Sequence, residues 1–290
     1  MDTIRVTDVR CEKGDSSFLI DDGKTAVLYD TGFGFTGFAV AENIRRALGE
    51  RKLDYIFLTH SHYDHALGSA YIKRVFPSAK VVAGKYASHI FTREGAIKTM
   101  RELDGKFAVK CGVTDYRFLG SELKVDIPAE QGDIINAGEL TFEVLELPGH
   151  TRCSIGFYCP EKKLLLSSET LGVYDGEKTI VPSYLVSISD SLESIKRVKQ
   201  LEIASVLAPH YGILNAQQTE YFLENMAQAS QQTAEDILHS LKQGKSDDEI
   251  IGEFKDKFYH GYIREIYPED AINLNTSIMI ELVRKELLNV

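Results

Sequence analysis

Seven consecutive residues, Thr59-His60-Ser61-His62-Tyr63-Asp64-His65, constrain this chain more than any other stretch. They follow the apolar run Leu53-Asp54-Tyr55-Ile56-Phe57-Leu58, which reads as a buried strand, so the histidines occupy a loop at its C-terminal end. Side chains two apart in an extended loop fall on one side, so His60 and His62 can grip one cation. Asp64 and His65, at the turn into the next helix, are placed to grip a second one nearby. Imidazole nitrogen with carboxylate oxygen, and no thiolate, suits zinc, iron, manganese or cobalt. A solvated, His-rich surface loop is the competing reading. It is the weaker one, because titratable groups crowded behind a buried strand serve no packing purpose.

The His-x-His-x-Asp-His pattern resembles the signature of the metallo-β-lactamase superfamily, and the likeness extends over about residues 1 to 215. The resemblance implies an α+β fold, a four-layer αβ/βα sandwich. It places a catalytic core at residues 1–214, and the helix-only pattern that follows reads as a C-terminal helical extension, packed on that core, at 215–290.

Composition is compatible with such a fold. A chain of 290 residues, 43% hydrophobic and 26% charged, can bury one large core or a core with an appendage. The formal net charge of -10 disfavours a nucleic-acid backbone as the main partner. No apolar run reaches membrane-spanning length, and Met1-Asp2-Thr3-Ile4 reads as the start of a strand rather than a leader. Cys11, Cys111, Cys153 and Cys159 lack metal-type spacing and are expected to be reduced core residues. A cytoplasmic protein with a small-molecule substrate, no nucleic acid and no membrane partner is the expectation.

Strands are expected over residues 4–10, 16–20 and 25–29, the last ending at Asp30-Thr31-Gly32. A carboxylate at a buried strand end must be bonded. The family likeness makes Asp30 a support behind the metal loop rather than a ligand. Phe33–Gly37, glycine-rich but without a phosphate-loop lysine, reads as a flexible lip. Helices are expected over 38–48 and 66–75, and a strand over 80–83. Residues 84–131 do not alternate like a sheet. Tyr86–Phe91 and Ala96–Phe107 read as helical, with His89 as an ordinary helix histidine. Arg93, Lys98 and Arg101 mark a solvated basic face with some capacity for an anionic substrate.

Strands resume at 134–136 and 140–147 and lead into Pro148-Gly149-His150-Thr151, which in the superfamily supplies the third ligand of the first metal. A Pro-Gly turn is suited to lift a histidine off a strand end with little freedom. A hairpin around Pro160-Glu161 ends at Ser167-Ser168-Glu169-Thr170, where the family pattern is Gly-Asp-Thr with a metal-bridging aspartate. Glu169 is one methylene longer, which makes the second metal's occupancy depend on reach. Ser189-Asp190-Ser191 is expected to cap a helix over 191–201. A strand over 203–207 ends at His210, which matches the family's last ligand. The metal set implied by the resemblance is therefore His60, His62 and His150 at one position and Asp64, His65 and His210 at the other, with Glu169 shared. After residue 214 the pattern is helical only. The segments read as Gln217–Leu241, one opened by a capping box at Ser246 and Glu249, and one from Pro268 to about Leu288. They offer a surface for a homodimer, and His239 and His260 there are not expected to be ligands.

Two divalent ions, zinc first with iron or manganese as alternatives, imply a hydrolase of the glyoxalase II or lactonase type. Its metal-bound hydroxide would cleave a thioester, lactone or phosphodiester, with Asp64 as the catalytic carboxylate. Tyr63, Tyr184 and Tyr211 are candidate donors to a substrate oxygen. The alternatives are a mononuclear iron sulfur dioxygenase of the same fold, which Glu169 would favour, and a non-catalytic metal module.

Overall fold

The computed structural model describes residues 4–288; Met1–Thr3, part of the leader reading, lie outside the described residues. The chain forms two compact units, one of residues up to Glu146 with Ile155–Leu166, the other of Leu147–Ser154 with residues from Ser167 onward.

The first unit holds two sheets. In one, β1 (Arg5–Asp8), β2 (Phe18–Asp21) and β3 (Ala26–Tyr29) are antiparallel neighbours. From β3 the sheet continues in parallel through β4 (Tyr55–Phe57), β5 (Lys80–Gly84) and β6 (Ile127–Ala129). The crossovers are helical, as parallel pairing requires. Helix α1 (Gly37–Leu48) links β3 to β4, and α2 (Tyr63–Ala66) with α3 (Gly68–Val75) links β4 to β5. β6 was not expected. It is three residues long and contains Pro128, so it carries no alternating pattern and can only occupy a sheet margin. The second sheet is antiparallel, β7 (Ile134–Ala137), β8 (Leu140–Glu146), β9 (Ile155–Cys159) and β10 (Leu164–Leu166), with the expected hairpin at Pro160. In β8, Leu140, Phe142 and Val144 are buried while Thr141 and Glu143 are only partly so, which is the period-two pattern read from sequence. Phe57 of β4 joins the two sheets. Its ring stacks on Phe157 at 4.3 Å and meets Phe142 edge-on at 5.2 Å. The strand that carries the histidine loop is thus anchored immediately upstream of it.

Helices α4 (Lys85–Ile90) and α5 (Glu94–Lys110) fill the region read as helical. The glycine-rich stretch is not a free lip. Phe33 and Thr36 are buried, and two buried carboxylates pin the backbone. Asp15 Oδ1 accepts the Phe33 N–H and the Thr36 hydroxyl, both at 3.0 Å. Asp104 Oδ1, from α5, accepts the Gly34 N–H at 2.9 Å, and its Oδ2 accepts the Tyr116 hydroxyl at 2.6 Å. Glycines here serve close approach rather than mobility, as a Cβ on Gly34 would lie 2.8 Å from Asp104 Oδ2.

The second unit is built from a short hairpin, β11 (Val173–Tyr174) with β12 (Ile180–Val181), then α6 (Ile188–Val198) and the hairpin β13 (Ser205–Ala208) with β14 (Gly212–Ile213). Helices α7 (Ala216–Lys242), α8 (Asp247–Phe258), α9 (Gly261–Ile266) and α10 (Glu269–Leu287) follow. Their apolar faces share one cluster with Val173, Val181, Tyr184 and Ile188, including Ile237, Phe254, Ile263, Ile280 and Val283. Helix α6 begins earlier than expected because the Ser187 hydroxyl, rather than the Ser189–Ser191 run, accepts the Asp190 N–H at 3.1 Å. The Ser246–Glu249 capping box is present. None of the four cysteines is in a disulfide, but only Cys153 and Cys159 are buried, while Cys11 is exposed and Cys111 half-buried. No described helix is long and apolar enough to cross a membrane.

The pinned loop carries a pH signature. Burial pushes the Asp104 carboxyl up from 3.8 to about 6, and pushes Asp15 up as well. The folded chain therefore keeps the Asp104 proton through a range where the unfolded chain has released it. Stability from this group is full below pH 3.8 and lost as pH rises toward 6, by about 3 kcal/mol. In urea titrations, the stability of wild type relative to Asp104→Asn should fall by about that amount between about pH 4 and about pH 7. A difference that stays constant with pH would show that the carboxyl titrates normally.

Candidate metal centre

The first unit carries the candidate ligands His60, His62, Asp64 and His65, and their support starts one strand earlier. Asp30 follows β3 with φ of 52°, a left-handed conformation unusual for a residue with a side chain. Its carboxylate is fully buried. It accepts the Thr59 N–H at 2.8 Å, the Thr59 hydroxyl at 3.0 Å and the Ser16 hydroxyl at 3.1 Å. It also accepts His65 Nδ1–H at 2.7 Å. A carboxylate can only accept, so Nδ1 of His65 carries the proton and Nε2 presents its lone pair, the tautomer a metal ligand needs. Thr59 extends the relay, because a hydroxyl that donates to Asp30 is left as acceptor for His60 Nδ1 at 3.0 Å. The loop is also tied from behind. Thr31 donates to the His65 carbonyl from both N–H and hydroxyl, at 2.8 and 2.7 Å. A Cβ on Gly68 would sit 2.0 Å from the Thr31 carbonyl oxygen, so only glycine allows this approach.

His60 and His62 precede α2, whereas Asp64 and His65 lie in it, so the four side chains divide by backbone conformation. The ligating atoms of His60 and His62 lie within 4.8 Å of each other, as do those of Asp64 and His65. The His60 ring centroid is 4.6 Å from that of His62 and 4.1 Å from that of His65. His60 and His65 are buried, while His62 and Asp64 are half-buried.

The second unit carries the candidate ligands His150, Glu169 and His210, all buried. His150 Nδ1 lies 2.7 Å from the Ser183 carbonyl oxygen, which makes Nδ1 the protonated nitrogen. Thr170 steadies the same turn: its hydroxyl donates to the Leu147 carbonyl at 2.6 Å and accepts the His150 N–H at 3.3 Å. Glu169 sits between two imidazoles, with Oε2 2.8 Å from His150 Nε2 and Oε1 2.8 Å from His210 Nε2. His210 adopts φ of 61°, and its carbonyl oxygen accepts the Tyr262 hydroxyl at 2.6 Å. Tyr267 donates to Glu169 Oε1.

Other candidates fall elsewhere. Tyr184 belongs to the apolar cluster of the helices, where burial holds its hydroxyl far above the usual range. The Tyr211 hydroxyl accepts from Gln218 at 2.9 Å. Tyr63 packs on Phe33 with centroids 5.7 Å apart. Arg93, Lys98 and Arg101 are exposed. Outside the two ligand sets, His239 bonds Gln243, and His260 bonds the Lys257 carbonyl. Sequence reading missed Thr59, Ser183, Tyr262 and Tyr267. Thr59 adjoins a legible motif; the others reach their partners from far along the chain and carry no local signal.

With this geometry in view, comparison with known proteins gives the class. A model of the metallo-beta-lactamase superfamily matches residues 13–210, and the chain belongs to that superfamily, with its α+β fold. It is 32% identical over 129 residues to a probable hydroxyacylglutathione hydrolase of Schizosaccharomyces pombe, covering 44% of this chain and 37% of that protein. It is 25% identical over 166 residues to an acyl-coenzyme A thioesterase of Bos taurus, covering 55% of this chain and 56% of that one. The chain thus spans about half the length of these curated relatives or less. A metallo-beta-lactamase family protein of Thermus thermophilus shares the fold over 93% of this chain and 88% of its own, with a TM-score of 0.61 and 22% identity.

Asp30→Ala would leave the Thr59 N–H and His65 Nδ1–H buried without their acceptor. It should lower the unfolding free energy by about 3 kcal/mol or more, measured by urea titration. Asp30→Asn tolerates the positive φ and keeps an acceptor, so it should cost less. Equal, small losses would show that the carboxylate does not organise the loop.

Proposed function

We propose that the chain is a metal-dependent hydrolase that cleaves a thioester or similar ester-like bond in a small molecule, using two divalent ions, zinc foremost. His60, His62 and His150 would hold one ion and Asp64, His65 and His210 the other, with Glu169 shared between them. The observation that carries this reading is the setting of Glu169. His150 Nδ1 is bonded to the Ser183 carbonyl, which turns its Nε2 to Glu169 Oε2 at 2.8 Å, while Oε1 lies 2.8 Å from His210 Nε2. A buried carboxylate converging with two imidazole nitrogens in this way would suit a shared cation, and an all-nitrogen-and-oxygen donor set suits zinc, iron or manganese.

When bound, such an ion acts as a Lewis acid and lowers the pKa of a coordinated water from 15.7 to about 7. The protein's own groups supply the rest. Asp30 and Ser183 fix which nitrogen of His65 and His150 faces the cation. Asp64, half-buried and with Oδ2 3.8 Å from His65 Nε2, is the carboxylate able to orient an attacking water and accept its proton. Thioesters of glutathione or coenzyme A are the first substrates to consider, because the relatives' names point to them.

Elemental analysis of protein purified without added metal, followed by assays on acyl-glutathione, acyl-coenzyme A, lactone and phosphodiester panels, tests the reading. Wild type should hydrolyse at least one thioester only when metal-loaded. His60→Ala should lose most of its metal and more than about 100-fold in turnover while remaining folded. Full metal content and activity in that variant would sink the ligand assignment. Oxygen uptake with a persulfide, without turnover of any ester, would replace hydrolysis by iron-dependent dioxygenation.

A further inference from the structure

Tyr267 stands at the C-terminal end of α9, and its hydroxyl donates to Glu169 Oε1 across 98 residues of sequence. Its ring meets that of His210 at an interplanar angle of 60°, with centroids 5.5 Å apart. At the other end of the same helix, Tyr262 donates to the His210 carbonyl. Between them Ile263 and Ile266 are buried in the apolar cluster of the second unit. Helix α9 is therefore held by its own core while it presents a tyrosine from each end to a candidate ligand.

Glu169 has the greater need of such support. A glutamate has one more rotatable bond than the aspartate of the superfamily pattern, and a carboxylate set between two imidazoles must have that freedom removed. Resting on the metal reading above, we infer that Tyr267 is a positioning residue that holds the Glu169 carboxylate between His150 and His210, so that the C-terminal helices help to build the metal centre. On this view the hydroxyl compensates for the added methylene. It fixes one carboxylate oxygen by a hydrogen bond that survives only at glutamate length, because an aspartate oxygen would withdraw by about one bond.

The test uses metal-stripped, full-length protein titrated with cobalt(II) chloride, with visible absorption as the readout, and requires no substrate. Tyr267→Phe should bind cobalt about 10 to 100 times more weakly than wild type, with altered visible bands. In a Glu169→Asp background the same substitution should change affinity by less than about twofold, because the shorter carboxylate no longer reaches the hydroxyl. A general loosening of α9 would act equally in both backgrounds, so that outcome overturns the inference. So does a Tyr267→Phe protein whose affinity and spectrum match wild type. If wild type itself takes up no cobalt, the metal reading falls first and takes this inference with it.

Discussion

The histidine loop of the first unit depends on one buried carboxylate. Asp30 is held by hydrogen-bond donors: a backbone N–H, two hydroxyls and an imidazole. Removing a charge from water is costly, and in this case the cost is offset by hydrogen bonds that also choose a tautomer and align a loop. The left-handed turn at Asp30 contributes to this arrangement. Non-glycine residues hold such geometry only where their surroundings over-determine it, and Asp30 and His210 are two of the three in the described chain that do. Asp30 bonds the candidate ligand His65, and His210 is a candidate ligand itself.

His65 and His150, one in each unit, are oriented by different means. In the first unit the acceptor behind the imidazole is a carboxylate, and in the second it is the backbone carbonyl of Ser183. The Nδ1–H groups of these two buried histidines are thus held by acceptors of different charge. Glu169 then adds negative charge beside His150 and His210.

Legibility followed distance along the chain. The His60–His65 loop, the Pro148–Thr151 turn and the hairpin before Glu169 each carry their signal within a few residues, because strand ends and tight turns are local matters. The buried alternation of β8 and the capping box of α8 were readable for the same reason. Supports were not. Asp104 reaches Gly34 across 70 residues and Ser183 reaches His150 across 33, and neither contact leaves any periodicity in sequence. The glycine-rich stretch is the instructive error. Glycine suggested freedom, whereas here it admits two carboxylates to the backbone and yields a wall rather than a flap.

The route of the chain through the two units has a consequence for how the protein is made. Leu147–Ser154 belongs to the second unit, yet the chain returns to the first before the rest of that unit is synthesised. On a ribosome the first unit and its histidine loop can form early, while His150 waits for Ser183, and Glu169 waits another 98 residues for Tyr267. The nascent chain thus passes through a stage in which His60, His62, Asp64 and His65 are in place while His150 and Glu169 still lack their supports. The Glu169 carboxylate stays without its Tyr267 contact until α9 has been made, so the order of synthesis sets the order in which these side chains are fixed.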